Sequence, residues 1–184
     1  MGMSGIGHNG GPAMEGLSWR RHCWAVAREQ LLPTLPVEVI RTRVRRAEAL
    51  GLDYRTYAGV RAASGHDVVA FLFSSNALRV GTLRPAMPEA RAAKLAQVAA
   101  DCRGLAVIPL TAAQMAAANP VLAECHAAPF ALARWGEARA AIRAALGRLP
   151  GDGVVLVGDH GLEAEWVAAG KLAGYLSADR YFGG

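Results

Sequence analysis

Two short polar segments, each placed directly after an apolar run, are where this chain can do chemistry. Ser74, Ser75 and Asn76 follow the run Val68–Phe73, and Gly158, Asp159, His160 and Gly161 follow Val154–Val157. The Ser74 and Ser75 hydroxyls can donate to phosphate or carboxylate oxygens, and the Asn76 amide can both donate and accept. Gly158 and Gly161 permit a tight turn whose backbone amides face an anion just ahead of a helix. The expected ligand-binding set is therefore Ser74, Ser75, Asn76, Gly158 and Gly161. Asp159 and His160 are the acid–base candidates, because an imidazole exchanges a proton near neutral pH and a carboxylate can orient it. The competing reading has Asp159 capping the next helix and His160 lying on the surface.

Several chemistries lack their signatures. A serine nucleophile needs an activating base and an oxyanion pocket, and no GxSxG is present. No GxGxxG follows an apolar run, and neither GxxxxGK[ST] nor HExxH occurs, so no cofactor is assigned. Glu124, Cys125 and His126 do not complete a metal-ligand set, and no metal is expected. Cys23, Cys102 and Cys125 form no CxxC pair and read as reduced thiols.

The charge is uneven. The chain carries a net +5, and residues 1–61 hold nine Arg against five acidic residues. Arg20, Arg21, Arg28, Arg41 and Arg45 are candidate phosphate contacts, and Trp19 or Trp24 could stack on an unpaired base. A nucleic-acid partner is the alternative expectation. The same helices could instead support a homo-oligomer or a protein assembly.

Those segments need elements to hold them. Residues 1–16 are Gly-rich and read as a flexible leader, without the basic region and apolar core of a signal peptide. Residues 17–184 read as one domain whose N-terminal part, 18–63, is helical. Ser18 caps a helix ending before Pro33, a second runs from about Pro36 to Leu50, and Asp53 caps a third. Val68–Phe73, Leu105–Ile108 and Val154–Val157 are uninterrupted apolar runs, as expected of strands buried on both faces. An Ala-rich helix separates the first two, and Thr111 with Gln114 has the form of a capping box. Val121–His126 reads as a short helical turn. Trp135, Ala138, Ile142, Ala145 and Leu149 make one side of a helix over 131–149. Leu162, Trp166, Ala169, Leu172, Ala173 and Leu176 make one side of a final helix.

Apolar strands separated by helical crossovers predict an α/β fold with a small, mainly parallel sheet of three or four strands, the fourth being a possible edge near Leu78–Leu83. No apolar run approaches the roughly 20 residues that span a bilayer, so no membrane partner and a cytoplasmic location are expected. In an open α/β sheet ligands collect beyond the C-terminal strand ends. The functional expectation is recognition of an anionic small molecule or nucleotide there, in a regulatory or assembly role. A small enzyme using Asp159 and His160 is a further alternative.

Overall fold

The computed structural model describes residues 35–183. The sheet and its helices belong to one compact unit, residues 41–184. The elements are α1 (Val37–Ala49), α2 (Tyr54–Ser64), β1 (Ala70–Ser74), α3 (Glu89–Leu95), β2 (Asp101–Ala106), α4 (Ala112–Ala118), β3 (Glu124–Ala127), α5 (Trp135–Leu146), β4 (Val154–Gly158), α6 (Glu165–Gly170), β5 (Gly174–Ser177) and α7 (Ala178–Phe182). Single 3-10 turns at Gly151–Gly153 and Gly161–Ala164 flank β4. The helix expected over 18–31 and the leader lie outside the described residues.

The fold is α/β, with a five-stranded, all-parallel sheet in the order β3-β2-β1-β4-β5. β1 and β4 are central and every residue of both is buried, which is why they appear in the sequence as unbroken apolar runs. Their side chains alternate. Phe71, Phe73, Val155 and Val157 face a core shared with Leu50, Tyr57, Leu95, Met115 and Tyr181. Ala70, Leu72, Val154 and Leu156 face the other way, against Ile142, Ala145, Leu146 and Trp166. Helices α3 and α4, which follow β1 and β2, thus cover one face, and α5 and α6 cover the other. From β1 the chain builds outward through β2 and β3, then returns to start β4 on the opposite side of β1.

Local chemistry sets the helix ends. Asp53 accepts from the Thr56 amide at 2.9 Å, and Gly65 closes α2 at φ 76, a left-handed position that suits a residue without Cβ. Thr111 and Gln114 form the expected capping box at α4. At the N-terminal end of β1, Asp67 accepts from Arg46 Nε at 3.1 Å, the Tyr57 hydroxyl at 2.7 Å and the Val68 amide at 2.9 Å. Other Arg46 nitrogens donate to the Val68 and Ala99 carbonyls. Burial works against the Asp67 charge, but the Tyr57 hydroxyl and the Arg46 guanidinium outweigh it and hold the carboxyl below its ordinary value.

Four expectations are corrected. Residues 124–127 are strand β3, an edge strand, rather than a helical turn. The final helix does not run to Leu176: it stops at Gly170, Lys171 turns at φ 52, and β5 and α7 follow. The segment Leu78–Leu83 is turn, with a single bridge between Gly81 and Arg84, and adds no strand. Trp135 and Leu162 are 58% and 55% exposed rather than part of buried stripes. No helix among the described residues is long and apolar enough to cross a membrane.

Candidate functional site at the sheet switch point

Strand order reverses between β1 and β4, so the loops that leave their C-terminal ends diverge to opposite faces and leave a crevice. The structure brings together the two segments singled out by sequence, and a residue not singled out joins them. Glu163, in the 3-10 turn after β4, is buried, and its carboxylate accepts four hydrogen bonds. Ser74 Oγ donates to Oε2 at 3.1 Å and Asn76 Nδ2 to Oε1 at 2.9 Å, both from the β1 loop. The amides of Asp159 and His160 donate to Oε2 at 2.7 and 3.2 Å. Every donor is neutral. The polar cradle that sequence offered to an external anion is therefore filled by an internal one.

This arrangement fixes what each candidate can do. Ser74 is fully buried, accepts from the Ala77 amide and supports the rim from beneath. Ser75 accepts from the Val107 amide at 3.1 Å, and its own amide donates to the Leu105 carbonyl, which stitches the β1 loop to β2. Gly158 is required by close approach: a Cβ there would lie 2.5 Å from Glu163 Oε2 and 2.6 Å from Tyr175 Cε2. Gly161 has nothing within 4 Å of such an atom. Asp159 and His160 are exposed at the rim, and no hydrogen bond joins the carboxylate to the imidazole. Tyr175 closes the turn, its hydroxyl donating to the His160 carbonyl at 3.3 Å. Burial, then the Glu163 and Asp159 charges, push this phenol up from its ordinary value.

Beside the filled cradle is a cleft of about 560 Å³. Its polar walls come from Asn76, Arg79, Arg84, Asp159 and His160, with Val80 and Leu83 as apolar surface. Arg79 sits at φ 58, where the turn closed by Arg79 N–H to Asn76 O and Val80 N–H to Ser75 O ends. A residue with a Cβ in this left-handed region costs about 1 kcal/mol. Burial and then the Arg79 charge push the nearby Arg91 guanidinium below its ordinary value, opposed by Asp159 and Asp179. The rim thus carries both signs, with its cations on the β1 side and its anions after β4 and β5.

Sequence reasoning missed Glu163, Arg79 and Arg84. Glu163 had a signal: it stands three residues after His160, the N3 place of a capping box, and its side chain does reach back to the His160 amide. The arginines had none, since only the fold turns their loop toward β4.

The other candidates are placed as follows. Arg41 and Arg45 are exposed on α1, whereas Arg46 is committed to Asp67. Trp19, Arg20, Arg21, Trp24 and Arg28 lie outside the described residues. Among the described residues no three His, Cys, Asp or Glu side chains are grouped to hold a metal ion. Burial, then the Asp101 charge, push the Cys102 thiol up to about 12, so it packs as an apolar group at neutral pH.

Comparison with protein-family models, with curated proteins and with solved structures gives no significant match.

Proposed function

We propose that this protein recognises an anionic small molecule or nucleotide in the cleft between the β1 and β4 loops, and that binding there serves a regulatory or assembly role. One observation carries the reading. Two guanidinium groups, Arg79 and Arg84, open onto a cleft at the switch point whose loops are already locked by Glu163. Because the Glu163 carboxylate uses the loop donors, a ligand anion must take its charge partners from the arginines, which match phosphate and carboxylate oxygens in a fork. The Glu163 lock also removes ordering cost from binding, since both loops are held before a ligand arrives. A volume of about 560 Å³ suits a nucleotide-sized molecule.

The test is calorimetric titration of the full chain with AMP, ATP and citrate. Saturable binding is expected for at least one, weakened about tenfold or more by Arg79→Gln or Arg84→Gln, since a charge-assisted contact contributes on the order of a decade in affinity. Absence of binding at millimolar concentrations, or affinity undiminished from the parent's in both variants, would remove the cleft as the site.

A further inference from the structure

The opposite end of the sheet holds a larger cavity, about 730 Å³, between the C-terminal ends of α5 and α6 and the turn that enters β4. Arg139, Arg143 and Lys171 line it. Among the described residues none of these three side chains has an ion pair or hydrogen bond. Asp152 also lines the cavity, and it is partly engaged by His66 at 3.4 Å.

Helix polarity accounts for part of this charge. Arg143 lies in the last turn of α5 and Lys171 directly follows α6, so each cation sits by a negative helix end. It does not account for Arg139, one turn further back. Arg139 and Arg143 are four residues apart on one helix face, where like charges repel unless an anion lies between them. Nor does it account for the Lys171 backbone, which adopts φ 52 and ψ 46 at a position where glycine is the usual residue. The chain places a lysine there and sets Gly170 one residue early.

The position of Lys171 is also fixed from below. A Cβ on Gly151 would lie 2.7 Å from the Gly170 carbonyl oxygen and 2.9 Å from that of Lys171, so the end of α6 rests backbone to backbone on the turn entering β4. Leu146, Leu149 and Ala169 supply apolar wall. Three unpaired cations against one carboxylate, Asp152, beside the half-buried Leu149, in a volume within the usual range of about 300–1,000 Å³ for small-molecule sites, define the ligand by its chemistry.

We infer that this cavity binds a phosphate-bearing small molecule of nucleotide size. Its phosphate oxygens lie between Arg139, Arg143 and Lys171, and its uncharged body lies against Leu149. The site is separate from the switch-point cleft and does not depend on it.

The experiment titrates ADP, pyrophosphate and adenosine into the full chain. It is repeated with Arg79→Gln/Arg84→Gln, which removes the cleft's share of the heat. In both, ADP binds more tightly than pyrophosphate, and adenosine binds weakest. Arg139→Gln/Arg143→Gln weakens ADP by about tenfold or more, as expected for loss of charge-assisted phosphate contacts, whereas Arg148→Gln, a neighbouring cation outside the lining, leaves it unchanged. Lys171→Gly separates function from structure, because it relieves the left-handed backbone. The melting temperature rises by about 2–4 °C while ADP affinity falls. No ADP binding at millimolar concentration, or full affinity in the Arg139/Arg143 and Lys171 variants, overturns the proposal. A single-stranded oligonucleotide that binds more tightly than ADP with a steep salt dependence, and is lost in the same double variant, overturns the small-molecule assignment in favour of nucleic acid.

Discussion

Asp67, just before β1, and Glu163, just after β4, hold opposite ends of the two central strands by different means. Asp67 is met by charge: Arg46 at 3.1 Å and Arg61 at 3.6 Å, with the Tyr57 hydroxyl, and its side chain is 38% exposed. Glu163 is buried and met only by neutral donors, two from side chains and two from backbone amides. The difference follows from position. At the N-terminal strand ends, solvent and flanking arginines share the work of stabilising a carboxylate. At the switch point the loops leave the sheet with unsatisfied donors, and a carboxylate supplied by the chain satisfies them without bringing a cation into the core. Arg79 and Arg84 line the adjacent cleft and make no ion pair with Glu163.

The largest expected effect comes from Glu163→Gln. The shape is kept, but an amide NH₂ now faces groups that also donate, and the variant loses about 3 kcal/mol in urea unfolding. A loss below about 1 kcal/mol would show that the loops find other acceptors. Gly158→Ala comes next, at about 2 kcal/mol, because its methyl group meets Glu163 and the Tyr175 ring at overpacked distances. A neutral result would mean that the β4 loop shifts readily. Asp67→Asn is smallest, about 1 kcal/mol at low salt, and its cost shrinks as salt is added because the pair is partly exposed. The Glu163→Gln cost holds across the same salt range, and equal salt dependence in the two variants would break the contrast drawn between them.

Asp67 also carries a pH signature. Its folded value lies below the unfolded one, so its contribution is complete above about pH 5 and is lost as pH falls through the folded value. Urea midpoints measured between pH 6 and pH 3 should therefore fall more steeply in the parent than in Asp67→Asn.

The central half of this fold was legible because its strands are buried on both faces: the runs at Val68–Phe73 and Val154–Val157 admit few other readings. The outer strands were not. β3 is an edge of four residues, Glu124–Ala127, with its ends exposed, so it shows neither an apolar run nor a clean alternation. β5 was absorbed into a helix because Leu172, Ala173 and Leu176 fall at helical spacing, and the break depends on Lys171 adopting a conformation that lysine rarely takes. The two loops of the site were legible from the strand ends they follow. Which of their groups face a ligand was not, because a hydroxyl and an amide in sequence do not reveal that a glutamate nearly ninety residues away already holds them.

That separation bears on the order in which the molecule assembles. Asp67 gathers partners 10 and 21 residues away, within reach of a chain that has made only its first helices. Ser74 and Asn76 lie 89 and 87 residues from Glu163, so their bonds require that β4 has already docked beside β1. Closing so long a loop is entropically costly and is repaid only once the sheet exists. The mouth of the cleft therefore cannot form before residues 159–163 have joined the sheet.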